Sequence, residues 1–123
     1  MRTLLATMKA LSDESRLRAL GLLRERELCL CQIVEVLGLA TSTVSKHMSV
    51  LQQARLVESR KEGRWAYFRL ADDEAPTEAL GALELALASL DRDKQAKADR
   101  RALKAVLKMS AEELCRKQAN CKC

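Results

Sequence analysis

The sequence predicts a mainly α fold with one short β-hairpin and an added C-terminal helical segment. Three observations carry that expectation. Aromatic residues are only 2% of the 123-residue chain and proline occurs once, as Pro76, while Leu, Ala, Glu, Lys and Arg are abundant. Apolar residues recur at helical spacing through most of the chain. Only the stretch LVESRK–EG–RWAYFRL reads as two strands, with Glu62-Gly63 turning between them and Gly63 free to take the positive φ that tight hairpins need. The length suits one core, which we place at residues 1–90, followed by a charged helical extension over 91–123.

Residues 3–11 form a short apolar helix candidate. Ser12 is expected to cap a second helix, with Asp13 and Glu14 in its first turn where negative charge suits the dipole. Leu17, Leu20 and Leu23 give that helix an apolar face. A third helix runs from about Cys31 to Leu37, with Leu30, Ile33 and Leu37 facing inward, and Gly38 ends it. Leu39 and Ala40 make a tight turn, and Thr41 is expected to cap a fourth helix. There Val44, Met48 and Leu51 recur at i, i+4 and i+7 and should be buried. That leaves Ser42, Thr43, Ser45, Lys46, His47, Ser49 and Gln52 outward or on the flanks. Small hydroxyls, an amide, a lysine and a histidine are what base edges and phosphates ask of a helix in a major groove.

Helix, tight turn, helix and basic hairpin make the winged helix-turn-helix order, ααααββα. Between Ala40 and Leu70 six bases face only Glu58 and Glu62, a local patch suited to a polyanion such as double-stranded DNA. Lys61 and Arg64 flank the hairpin turn and suit phosphates beside the groove. All three aromatics, Trp65, Tyr67 and Phe68, fall in the second strand and are read as anchors of the hairpin on the core. From Thr77 a helix carries Leu80, Leu83, Leu87 and Leu90 along one stripe, more apolar than a small core needs. With helix 3–11 it suggests a homodimer surface. DRDKQAKADRR, 91–101, has eight charges of mixed sign in eleven residues and reads as a solvated helix or hinge.

The remaining signal is thiol. In ELCLCQIVEVLG, Cys29 and Cys31 stand two apart, about 200° around a regular helix. They can grip one atom only if Cys29 stays outside the helix or the first turn gives way. The alternative is two small buried core residues. The tail reads SAEELCRKQANCKC: Ser110 and Glu113 form a capping box, a short helix carries Cys115, Asn120 stops it, and Cys121 and Cys123 lie among Lys and Asn. Nothing at the start of the chain resembles a signal peptide, and no segment approaches 18 apolar residues, so a cytoplasmic protein without membrane contact is expected. Five cysteines in a reducing compartment point to metal or redox chemistry before structural disulfides.

The run ELCLCQIVEVLGLATSTVSKHMSVLQQARLVESRKEGRWAYFRL resembles the ArsR/SmtB family of metal-sensing repressors, in particular its arsenite-responsive branch, whose metal motif reads ELCVCDLC. The resemblance implies a homodimer, built on the first and fifth helices, that binds a palindromic operator and represses a metal-resistance operon. Binding of As(III) or Sb(III) at thiolates would release the DNA. Two recognition helices would then lie about 34–36 Å apart. The third cysteine of the motif falls on Val34 here, so two thiols stand where that branch has three. The family's zinc site on the fifth helix uses His and carboxylates, and residues 77–90 hold only Glu78 and Glu84, so that site is not expected.

A pyramidal trivalent centre needs three sulfurs, and thiolates select such soft ions. Either a tail cysteine completes Cys29 and Cys31, from the same subunit or its partner, or Cys115, Cys121 and Cys123 form a closed site of their own. The first is favoured, because Cys29 and Cys31 adjoin the helix-turn-helix while the tail shows no lever on DNA. Ligation of both thiols is expected to unwind or shift the start of helix 31–37, which buttresses the recognition helix. Allosteric couplings of this kind weaken binding by roughly 5–150-fold. A thiol redox or persulfide sensor of the same fold is the alternative within regulators, and a cytosolic thiol metal carrier the alternative outside them. No C-x-x-C pair, activated nucleophile or Gly-rich phosphate loop suggests an enzyme or an organic cofactor.

Overall fold

The computed structural model describes residues 1–118, over which seven helices and three short strands follow one another. They are α1 (Arg2–Leu11), α2 (Glu14–Leu22), β1 (Leu28–Cys29), α3 (Leu30–Leu37), α4 (Thr41–Gln53), β2 (Val57–Glu62), β3 (Trp65–Leu70), α5 (Thr77–Leu90), α6 (Lys94–Val106) and α7 (Ala111–Lys117). The winged helix-turn-helix order is therefore present, with α6 and α7 added after it.

Two caps fall one residue away from their expected places. The N-cap of α2 is Asp13, whose carboxylate accepts from the Arg16 N–H at 3.1 Å, while Ser12 closes α1 and donates its hydroxyl to the Lys9 carbonyl. Ser and Asp are comparable caps, so local preference alone cannot choose between neighbours. In α4 the N-cap is Ala40, which offers no side-chain bond, and Thr41 is already helical. Gly38 ends α3 at φ 69°, its N–H bonded to the Val34 carbonyl at 2.9 Å.

At the end of α4 the chain reverses through Arg55, at φ 62°. The Leu56 N–H reaches the Leu51 carbonyl and the Arg55 N–H that of Gln52, both at 3.0 Å. That pair of bonds is a Schellman motif, with an arginine where glycine is usual. Leu51 and Leu56, the positions whose apolar contact usually accompanies such a motif, are both fully buried.

β2 and β3 pair antiparallel from Val57 opposite Leu70 to Glu62 opposite Trp65. The closing pair is thus Gly63-Arg64, one residue later than expected, and Gly63 has φ 62° at the first position as a type II′ turn requires. A third strand, not foreseen, adds to the other edge of β3: Leu28 pairs with Phe68 and Cys29 with Tyr67, giving the order β1-β3-β2. Trp65 and Tyr67 pack against the core from β3, as anchors of the hairpin.

The core lies where α2, α3, α4 and the sheet meet, with Leu20, Leu28, Ile33, Met48, Leu51, Leu56 and Leu114 fully buried. Each contributes about 1.5–3 kcal/mol by leaving water. Leu114 belongs to α7, so the last described helix is part of this core. The stretch 91–101 is not only a solvated helix. One face of α6, with Ala96, Asp99, Leu103 and Val106, is buried against α2 and α3. Asp99 meets the Arg18 guanidinium through two bonds of 2.9 Å and accepts a third from Gln95. Of the α5 stripe only Leu83 is buried; the inward face consists of Ala79, Ala82, Leu83 and Ala86. Leu85 of α5 stays 68% exposed, and Leu4, Leu5 and Met8 of α1 about half exposed. Among the described residues no helix is long and apolar enough to cross a membrane.

Candidate DNA interface and thiol site

α3, the Gly38–Ala40 turn and α4 form the helix-turn-helix. Val44, Met48 and Leu51 are fully buried, which seats α4 on the core by one face. Ser42, Thr43, Ser45, Lys46, Ser49 and Gln52 are all exposed on the opposite side. His47 is half-buried and faces α2: its Nδ1 lies 3.2 Å from the Arg16 guanidinium and its Nε2 4.0 Å from Asp13. A guanidinium only donates, so Nδ1 is the acceptor in this contact. Arg16 also donates to the carbonyls of Lys9 and Ala10, so one side chain ties the end of α1 to the recognition helix.

The bases of the wing divide into two groups. Arg60 is clasped by Glu27 and Glu62, and Arg69 by Glu58 and Asp72. Lys61 and Arg64 are exposed, with no ion pair among the described residues, and Arg64 lies over the Trp65 ring at 4.5 Å. The two cations at the tip are thus the ones whose charge is not already spent within the wing.

Cys29 and Cys31 come together. Cys29 is the N-cap of α3, with extended backbone at φ −70° and ψ 149°, so it stands outside the helix as the last residue of β1. The 200° opposition of a regular helix therefore does not arise, and the first turn need not unwind for the sulfurs to meet. The two Sγ atoms lie 2.9 Å apart, and both residues are buried. The Gln32 side-chain oxygen accepts from the Cys29 N–H at 2.8 Å and fixes this entry into α3. Across the sheet stands Tyr67, whose hydroxyl is pushed above its ordinary value by burial first and by the adjacent Cys29 next.

α7 approaches the same place from the C-terminal side. The Ser110–Glu113 capping box is present, and Leu114 is buried. Lys117 pairs with Glu35 of α3; Gln118 donates to the Cys31 carbonyl at 2.9 Å and to Glu35 at 3.3 Å. Lys117 first, and Gln118 behind it, hold the Glu35 carboxyl below its ordinary range against the opposing effect of burial. The extension thus has a direct hold on α3, the helix that precedes α4 in the helix-turn-helix. Cys115, half-buried on α7, is disulfide-bonded, contrary to the expectation of a metal ligand there, since a disulfide sulfur offers no thiolate. Cys121, Cys123 and the stop at Asn120 lie outside the described residues. Among the described residues no three Cys, His, Asp or Glu cluster as a metal-binding group.

Comparison with known proteins turns this geometry into a family assignment. Residues 13–59, from the cap of α2 into β2, match the family described as bacterial regulatory protein, arsR family. An HTH-type transcriptional regulator of Methanocaldococcus jannaschii is 39% identical over 66 residues, which are 53% of this chain and 74% of that one. The chain belongs to the arsR family. Another relative in the family, the arsenic resistance transcriptional regulator ArsR1 of Pseudomonas putida, is 38% identical over 63 residues, 50% of this chain and 49% of its own. A cadmium resistance regulatory protein CadC homolog of Staphylococcus aureus is 38% identical over 66 residues, 53% of this chain and 54% of its own. The chain thus spans only about half the length of these two metal-resistance regulators. Among solved structures, a homodimeric winged helix-turn-helix DNA-binding domain from Mycobacterium bovis is similar with TM-score 0.60 at 31% identity, covering 72% of this chain and 80% of that one.

As an arsR-family regulator the chain has residues at its thiol site that sequence reasoning missed. Gln32 and Gln118 were unremarkable amides in sequence. Glu27 and Arg60 stand 33 positions apart, and Arg18 and Asp99 81 apart. The one available signal was Asp99 itself, at a position that the buried spacing of Ala96 and Leu103 would assign to the inner face.

Proposed function

We propose that this protein is a repressor that binds operator DNA as a homodimer and lets go when As(III) or Sb(III) binds the thiolates of Cys29, Cys31 and one tail cysteine. The observation that carries the reading is the 2.9 Å separation of the Cys29 and Cys31 sulfurs outside the regular part of α3. Two thiols already side by side need only one more. Gln118, hydrogen-bonded to Cys31, is three residues before Cys121, and three extended residues reach about 10 Å. Completion by Cys121 or Cys123 of the same subunit is therefore the economical route.

The chemistry balances without oxidation. Arsenous acid has three As–O bonds; each thiol displaces one, forming an As–S bond and releasing one water, and arsenic stays trivalent. Ligation also moves the protein. Thiolate bonds of about 2.3 Å at the nearly right angles of a pyramidal centre would hold sulfurs about 3.3 Å apart, so the 2.9 Å pair has to open. Cys31 belongs to α3 and Cys29 to β1, so the opening shifts one element of the DNA-binding unit against another.

On DNA, Ser42, Thr43, Ser45, Lys46 and Ser49 face base edges and phosphates from α4, while Lys61 and Arg64 meet flanking phosphates. His47 supports α4 through Arg16. Residues 1–90 carry DNA binding and dimerisation, with the half-exposed Leu4, Leu5 and Met8 of α1 and Leu85 of α5 as the apolar contact between subunits; 91–123 carry the third ligand. Oxidation of the same close thiol pair is a second reading, favoured by the same distance: a peroxide would take two electrons and two protons as the disulfide forms.

The test is operator binding by fluorescence anisotropy, with and without arsenite. Wild type should release DNA on addition of arsenite; Cys29→Ser/Cys31→Ser and a chain ending at Gln118 should bind DNA and stay bound. Release from wild type by peroxide with arsenite inert would establish the redox reading, and a chain that binds no operator duplex at moderate salt would leave the metal-carrier class.

A further inference from the structure

Cys29, Tyr67 and Arg60 occupy one row across the sheet. Cys29 of β1 stands opposite Tyr67 of β3, and Tyr67 opposite Arg60 of β2. Directly opposed residues in antiparallel strands project from the same face and touch. Here the contact is a cation over a ring, since the Arg60 guanidinium lies 4.6 Å from the Tyr67 centroid. The row closes on itself, because Glu27, two residues before Cys29, grips Arg60 through both carboxylate oxygens at 2.7–3.0 Å. Burial of the thiol pair and exposure of the wing are thereby joined through three side chains on one sheet face, with Glu27 just before β1 closing the row. Trp65, the only tryptophan of the chain, is two residues before Tyr67 and so shares that face.

We propose that Tyr67 and Arg60 are positioning residues that carry ligation at Cys29 into the wing, so that the metalloid displaces Lys61 and Arg64 from phosphate as well as disturbing α3. This rests on the thiol site proposed above and adds a second route to the DNA. The physical reason is that β1 is only two residues long. It has no ladder of its own to absorb a shift, and any movement of Cys29 as the sulfurs open passes to its cross-strand partner.

The experiment follows the wing by Trp65 fluorescence on the DNA-free full-length chain, titrated with arsenite, beside operator anisotropy on the same samples. Bound arsenite is counted independently by protection of thiols from alkylation. Wild type should show a change in Trp65 emission that saturates with bound arsenite, and a roughly 5–150-fold loss of operator affinity. Arg60→Ala and Glu27→Ala should bind arsenite as wild type does, yet lose most of the Trp65 change and a large share of the affinity loss. Tyr67→Phe keeps the ring and should retain both responses. Arsenite bound to wild type with no change at Trp65, or full responses in Arg60→Ala and Glu27→Ala, would overturn the coupling. A Trp65 change without DNA release would instead sink the repressor reading and leave the row intact as a conduit.

Discussion

Replacing Asp99 with alanine removes the acceptor that fastens α6 to α2. Asp99 is 4% exposed and the side chain of Arg18 keeps only 19% of its surface, so the substitution leaves a largely buried guanidinium without its two bonds. Breaking a fully buried pair costs roughly 3–5 kcal/mol, whereas exposed pairs contribute about 0–1. With Arg18 still partly in contact with water, which screens it, the expected loss is about 2 kcal/mol. For a chain of this size 1 kcal/mol moves Tm by about 4 °C, so thermal unfolding should shift down by about 8 °C. The same bond sits upstream of the thiol site, because α6 leads to α7 and α7 brings Gln118 to Cys31. Thiol alkylation of Cys29 and Cys31 in the native state should therefore accelerate in the variant. A Tm within 2 °C of wild type, with unchanged alkylation, would refute the view that α6 is held in place by this pair.

Three other outcomes follow from single residues. Arg55→Gly relieves a side chain held at φ 62° in the Schellman turn and should stabilise the protein by about 1 kcal/mol, read as a higher denaturant midpoint at unchanged slope. The Glu35 carboxyl lies below its ordinary 4.5, so its tie to Lys117 and Gln118 contributes stability above that pH and loses it as pH falls through the lowered value. The stability difference between wild type and Glu35→Gln should accordingly close below about pH 4.5, and a constant gap from pH 7 to pH 3 would contradict the assignment. With Lys61 on phosphate in both subunits, as proposed, Lys61→Ala should reduce the salt slope of operator binding by roughly 1.8, with little change in sequence preference.

What the sequence revealed and what it hid divide along sequence distance. The recognition helix was legible because Val44, Met48 and Leu51 declare a face over eight residues, and the hairpin because Gly63 punctuates it. β1 was not: two residues carry no period, and Leu28–Cys29 become a strand only because Phe68 and Tyr67 arrive forty positions later. The burial of α6 was masked by its charges, since an aspartate reads as solvent-facing until Arg18 is seen opposite it. Of the two ways the sequence left for Cys29 and Cys31 to meet, the structure takes the first, for Cys29 caps α3 and never enters it. The tail's hold on α3 was invisible because it runs through two amide and ammonium groups, Gln118 and Lys117, that carry no motif.

The central claim is that the Cys29–Cys31 pair is two-thirds of a metalloid site completed by the chain beyond Gln118. X-ray absorption at the arsenic edge on the arsenite-loaded protein tests it directly by counting first neighbours. The account predicts three sulfurs in wild type, and two sulfurs with one oxygen in a chain ending at Gln118. Three sulfurs persisting in Cys29→Ser/Cys31→Ser would place the site wholly elsewhere and contradict it.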